Sequence, residues 1–324
     1  MARINYTIDG GSATHTSTYD EVYGLLKQIA VQDIINVETG NLLTNVFPQI
    51  VVGNGDYLQT IRVKMAKDAT EYSDTTFFND VTLNKPEFVQ EFHETWKKIQ
   101  YNVGYNRKDL AKSLAMGKNE QTIKDEAVAN LAKKVDIDDE AYIVDCIFDK
   151  SNKMKVVKED AGEGEVELST FKTVTTDLKD IIYNIRQVIN KITVFNSFGS
   201  TLGYETGMTK EDVVVVMSET MSNILDTYLK TGIYNLQYLW DNYTVLEVSD
   251  QNYISHGEDL ANVYVIDKRH IFTAVRDEVT ESQYDAPSQT FGVFYTVDKM
   301  YATSGLYKAV YFDCSTAIDP YIED

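Results

Sequence analysis

Between Tyr57 and Val135 the chain carries a pattern that a compact domain absorbs with difficulty. Residues 57–65 alternate, with Tyr57, Gln59, Ile61, Val63 and Met65 on one face and Leu58, Thr60, Arg62 and Lys64 on the other. Such alternation marks a strand with one apolar face. A polar excursion runs from Ala66 to Pro86, and a second run returns from Phe88 to about Val103. Its tail sets Ile99, Tyr101 and Val103 against Lys98, Gln100 and Asn102. A loop of this length inside a compact domain is usually functional or flexible. The pattern therefore predicts a long two-stranded arm. An isolated two-stranded ribbon is marginal in water. Such an arm needs a surface to lie on, and if its own domain does not supply one, another copy of the chain must. The pair Phe77-Phe78 in the excursion suits an internal staple and an anchor for a neighbour equally well.

The arm leads into helical patterns. Asn106 opens a short helix with Leu110 and Leu114 on one side, and Gly117 interrupts it. From Asn119 the apolar positions Ile123, Ala127, Leu131 and Val135 fall four apart, predicting an amphipathic helix with a narrow stripe. The acids Asp136, Asp138, Asp139 and Glu140 are expected to end that helix and to cap a second one over 138–148. Upstream, residues 1–18 are polar and suit a draped arm, and Tyr19 to Val37 has helix spacing. Val46 to Val52 is a short apolar run broken by Pro48. Downstream, 149–164 is a charged loop or hairpin. Asp177 to Phe198 is the clearest helix, with Thr176 or Asp177 as its cap. Strands are expected at 210–217, 244–248, 262–266, 270–276, 291–297 and 309–312, with a helix from Ser218 to about Lys230. The class is mixed α+β, and no period of 20–50 residues repeats.

Charge and composition exclude several functions. The 324 residues, 43% of them hydrophobic, suffice for one large or two modest domains. A net charge of −20 is the wrong sign for a sequence-reading nucleic-acid binder or for docking on anionic membranes. The start has no apolar run of a signal peptide. Cys146 and Cys314 both sit among apolar residues and are expected as buried free thiols.

The search for chemistry returns little. The sequence has no phosphate-binding glycine loop, no His-Glu-x-x-His and no Gly-x-Ser-x-Gly. The four histidines, His15, His93, His256 and His270, are scattered. A calcium loop at Asp136–Glu140 lacks its central glycine. The acids of Glu159 to Glu165 suit a solvated loop, and His93 beside Trp96 suits a strand-surface contact. No catalytic, cofactor-binding or metal residue is assigned, and no cofactor is expected.

The order of elements resembles a tailed-bacteriophage major capsid protein of the Hong Kong 97-like fold. Four segments carry the resemblance: the hairpin from Tyr57 to Val103, similar to that family's E-loop; the passage Val103 to Leu114; the helix closing on Asp136 to Val144, similar to the spine helix; and the strand-to-helix run Asp212 to Met221 with the later strands Val263–Asp267 and Phe291–Phe312. The resemblance implies an N-terminal arm (1–45), an E-loop hairpin and its base (46–105), a peripheral domain with the spine helix (106–175), an axial domain (176–290) and C-terminal strands returning to the peripheral domain (291–324). It implies a non-enzymatic shell protein that assembles in the host cytoplasm into hexamers and pentamers. These form an icosahedral or prolate virion capsid around double-stranded DNA, without sequence-specific binding and without a membrane. A portal and, as no long charged helical leader is present, a separate scaffolding protein are implied partners. Arg62, Lys64, Lys67, Phe77 and Phe78 are the candidate inter-subunit contacts. Some relatives weld subunits through a Lys–Asn bond, but no partner Asn or catalytic acid is identified for Lys64 or Lys67. Two alternatives stand beside this reading: an encapsulin-like compartment shell, and a cytosolic carboxylate or metal-dependent enzyme using the acids at 136–140.

Overall fold

A computed structural model of the chain describes residues 3–6, 15–35, 37, 42–52, 57–64, 87–172, 177–231 and 243–314. In chain order the elements are β1 (Arg3–Tyr6), β2 (His15–Thr18), α1 (Tyr19–Leu26), α2 (Val31–Ile35), α3 (Leu42–Val46), β3 (Gln49–Val51), β4 (Leu58–Lys64), β5 (Glu87–His93), β6 (Lys97–Asn106), α4 (Arg107–Ala115) and α5 (Glu120–Phe148). They continue with β7 (Met154–Val157), β8 (Glu165–Glu167), α6 (Leu178–Thr193), β9 (Val213–Ser218), α7 (Glu219–Thr231), β10 (Thr244–Val248), α8 (Asp250–Ser255), β11 (Asn262–Asp267), β12 (Ile271–Asp285), β13 (Thr290–Thr303) and β14 (Ala309–Asp313). The chain forms two compact units. One comprises residues 1–55, 95–143 and 273–301, the other 56–94, 144–272 and 302–324.

The first unit is built on a four-stranded sheet ordered β3-β12-β13-β6. β13 alternates in burial, and Phe291, Val293, Tyr295 and Val297 enter the core. That face meets Val22 and Leu26 of α1, Leu110 and Leu114 of α4, and the Ile123–Ala127–Leu131 stripe of α5. Asn106 caps α4, its side chain accepting from the Asp109 amide at 2.8 Å. The helix ends at Gly117, whose φ of +85° lies where a side chain is strained. Asn119 then caps α5, accepting from the Thr122 amide at 2.7 Å.

Four expectations need correction here. The acids at 136–140 do not end a helix, because α5 runs unbroken for 29 residues through them. No glycine or proline interrupts 120–148, and an interior Asp costs only tenths of a kcal/mol in helix propensity. Asp139 also finds partners: the buried Lys299 ammonium donates to it at 2.5 Å, and the Tyr301 hydroxyl donates to the same oxygen. The single helix expected over 19–37 is two. The Asp33 carboxylate accepts from the Ala30 amide at 3.0 Å and so starts α2 afresh, which holds that carboxyl below its usual range. The run 88–103 is also two strands. β5 ends at His93, and β6 joins the other sheet, pairing with β13 from Lys97 to Asn106. Farther along, β12 and β13 extend well past the expected 270–276 and 291–297, to 15 and 14 residues.

The second unit contains a six-stranded sheet ordered β10-β9-β11-β14-β7-β8. Every residue of β9 is buried. A strand covered on both faces reads as a continuous apolar run rather than an alternating one, which is what Val213–Met217 is. The broad face of α6, from Leu178 to Ile192, covers one side of this sheet together with Met221 and Leu225 of α7. Asp177 caps α6, accepting from the Lys179 amide. Two buried lysines close helix C-termini in this unit. Lys308, fully buried, donates to the carbonyls of Ile192 and Val194 at 2.7 Å each. Lys153 donates to the Cys146 carbonyl at 2.8 Å and to that of Asp149. A cation there complements the negative helix end, yet burial pulls both ammonium groups down to about 8. Cys146 and Cys314 are buried and free.

Leu131 is fully buried in the first unit. Leu131→Ala is expected to destabilise it by about 2–5 kcal/mol in chemical unfolding. The two lysines give a pH dependence. Their folded values near 8 lie below the ordinary 10.5, so from about pH 8 to 10 the unfolded state holds more protons and stability rises with pH. Urea unfolding at the two ends of that range should show this increment, and it should shrink in Lys308→Met.

Candidate inter-subunit surface

The hairpin β4–β5 has a register that sorts its side chains sharply. Gln59 faces Phe92, Ile61 faces Gln90 and Val63 faces Phe88 across the strands, while Thr60 faces Glu91 and Leu58 faces His93. Opposed residues share a face of a two-stranded sheet. One face therefore carries Tyr57, Ile61, Val63, Phe88 and Phe92 with Gln59 and Gln90 among them, and the other carries Leu58, Thr60, Arg62, Val89, Glu91 and His93.

The two faces are placed against ordinary expectation. The apolar one is in solvent: Ile61 is 50% exposed, Val63 51%, Phe88 62% and Phe92 49%. The polar one holds the hairpin to its own unit. Glu91 accepts from the Ser304 hydroxyl at 2.5 Å and the Gly305 amide at 2.8 Å. His93 lies 3.3 Å from the same carboxylate and sets its ring edge-on to Phe272 at 5.0 Å. Burial alone would raise the Glu91 carboxyl, but the neighbouring His93 ring and the hydrogen bonds from Ser304 and Gly305 outweigh it and hold it below the usual range. Among the described residues β4 and β5 have no third strand beside them.

Of the residues singled out from sequence, Arg62 is exposed and donates to the Tyr307 hydroxyl at 2.9 Å within its own unit. Lys64 is the last residue of β4, opposite Glu87 in the register. Lys67, Phe77 and Phe78 lie outside the described residues. Sequence reasoning missed Phe88 and Phe92 as surface residues, although their spacing of four places them on the same face of a strand. It also missed Glu91.

The other candidate chemistry does not gather. Among the described residues no group of three or more His, Cys, Asp or Glu side chains is placed to hold a metal ion. Asp139 is engaged by Lys299 and Tyr301, and Glu159 and Asp160 are exposed. His270 is fully buried, its Nδ1 donating to the Ser304 carbonyl at 2.8 Å, and burial followed by repulsion from Lys153 keeps it neutral. No helix among the described residues is long and apolar enough to cross a membrane.

The chain combines a two-stranded hairpin, a long helix on a four-stranded sheet and a six-stranded mixed sheet. It is similar to a chain in the capsid structure of Staphylococcus phage Andhra, at 10% identity and a TM-score of 0.59, covering 87% of this chain and 86% of that one. It is similar to chains in the capsid of the cyanophage P-SCSP1u (10% identity, TM-score 0.52, coverage 84% and 87%) and of Ralstonia phage GP4 (8%, 0.52, 83% and 87%). At these identities the likeness establishes the fold, which is Hong Kong 97-like. The family model for the Phi29-like phage major capsid protein matches residues 8–313, and the chain belongs to that family. It is a structural protein of the phage capsid shell, located in the virion and assembled from copies of itself. No curated protein matches it.

The hairpin's exposed face should be dispensable for folding. Ile61→Ser with Phe88→Ser is expected to change subunit stability by about 0.5 kcal/mol or less, as for other surface sites. The same pair should sharply reduce the yield of particles counted by negative-stain microscopy.

Proposed function

We propose that copies of this chain close into six- and five-membered rings that tile an icosahedral or prolate shell around packaged double-stranded DNA. The β4–β5 hairpin is the element that each copy lays on the next. The observation that carries this is the inversion of the hairpin: apolar face in solvent, polar face on its own subunit. Exposed aromatic and branched side chains in a row mark a surface meant to be covered. A contact that pairs two different surfaces is head-to-tail, and such contacts close into rings when the rotation permits.

The charge supports the same reading. Holding phosphates takes Lys and Arg, and a surplus of 50 acids over 30 bases leaves packaged DNA unattached to its container. Assembly takes place in the host cytoplasm, guided by a separate scaffolding protein and a portal. Lys67, Phe77 and Phe78, beyond the last described residue of β4, extend the contact.

Deletion of residues 66–84 tests the reading. The shortened chain should remain folded, with an unchanged cooperative melt, and should give no particles by size exclusion or negative stain. Normal shells from the shortened chain would remove the hairpin from the assembly contact.

A further inference from the structure

Among the described residues, the side-chain hydrogen bonds from the hairpin to the rest of its unit converge on one short segment. Glu91 of β5 reaches Ser304 and Gly305, and Arg62 of β4 reaches Tyr307. All three partners lie in the connection between β13 and β14. Arg62 is exposed, so its bond is open to water and worth little. Glu91 is different. Its side chain is only 12% exposed, and its two oxygens take separate donors, Oε2 the Ser304 hydroxyl and Oε1 the Gly305 amide.

The receiving turn is rigid. Ser304 exchanges two hydrogen bonds with His270, its amide donating to the His270 carbonyl and its own carbonyl accepting from the ring, both at 2.8 Å. The Gly305 carbonyl accepts from the Ser200 hydroxyl at 2.8 Å. A Cβ on Gly305 would come within 2.4 Å of Thr201 Oγ1, so only glycine lets the turn sit this deep. Beyond it Leu306 and Lys308 are fully buried. On this face of the ribbon Glu91, with His93 beside it against Phe272, meets a turn fixed by its own hydrogen bonds.

We propose that Glu91 is the positioning residue of the assembly arm: clamped by the 304–305 turn, it fixes the direction in which the hairpin leaves its subunit, and through that direction the uniformity of the shell. The second half rests on the reading of the hairpin as the contact between copies. A two-stranded ribbon gripped at one end acts as a lever, so a small change of angle at Glu91 becomes a large displacement where the arm meets its neighbour. The chemistry requires a planar acceptor of glutamate length. Glu91→Asp falls one methylene short of holding both donors. Glu91→Gln keeps an oxygen for the Gly305 amide and offers an N–H to the Ser304 hydroxyl, which turns to accept it.

The test uses the full chain with spin labels on Gln90→Cys in the hairpin and Glu211→Cys in the sheet-bearing part of the same unit. Both positions are exposed, and the native cysteines are buried and leave the labelling selective. With Glu91 present, pulsed dipolar spectroscopy should give one narrow distance. Glu91→Ala should broaden and shift it, with the melting temperature within about 4 °C of the parent, and Glu91→Gln should restore it. Unlabelled Glu91→Ala chains should give particles of mixed diameter, and Glu91→Gln chains uniform ones. An unchanged distance in Glu91→Ala overturns the clamp. A broadened distance with uniform particles overturns the link to shell geometry. Loss of the cooperative melt in both variants makes Glu91 a folding residue and also overturns the proposal. If the parent chain itself forms no particles, the shell reading fails, while the distances still decide the clamp.

Discussion

Everything about this subunit follows from a ribbon of two strands that cannot be stable by itself. Two strands bury too little to repay the order they impose. The chain resolves the problem unequally on the two faces. The side facing home is held by hydrogen bonds to buried acceptors and donors, which confer direction at little apolar cost. The side facing away keeps Ile61, Val63, Phe88 and Phe92 uncovered. On the reading proposed above, a subunit of this kind is folded but unfinished, and contact with its own copies supplies the remaining stabilisation.

Each unit is built on a packed sheet of its own. In the first, α5 carries its apolar stripe against a sheet whose longest strands pair over many residues. In the second, α6 presents nearly a whole face of Ile, Leu and Val to a sheet with a fully buried strand at its centre. The buried ammonium groups of Lys153 and Lys308 close the last carbonyls of α5 and α6 from within the core. They give each helix end a fixed partner that solvent does not exchange.

Much of this was legible beforehand, and the failures have physical causes. The stripe at 123–131 was read correctly because period and burial coincide there; alternation at 57–64 showed the strand, but not that its apolar face would be the exposed one. Asp177 acts as the cap it was expected to be, since a short acidic side chain before an apolar run has few other uses. The acids at 136–140 misled because helix-ending signals compete with tertiary partners, and Lys299, 160 positions later, was invisible to a local pattern. The split of 88–103 between two sheets had a local sign that was passed over: the apolar positions shift phase from Phe88, Phe92 and Trp96 to Ile99, Tyr101 and Val103, while the strands they pair with lie far along the chain. Glu91 looked like any surface acid on a strand. Nothing near it in sequence announces the turn it grips.

The two cysteines carry a consequence for life outside the cell. Both thiols are sealed within the protein, and burial pushes that of Cys314 far above the range in which a thiolate forms. Copies pressed side by side in air-equilibrated surroundings would otherwise invite stray sulfur bridges between neighbours, locking errors into the coat. With no reachable sulfur at either position, every contact between copies stays noncovalent at those sites, and a misplaced copy retains the freedom to leave.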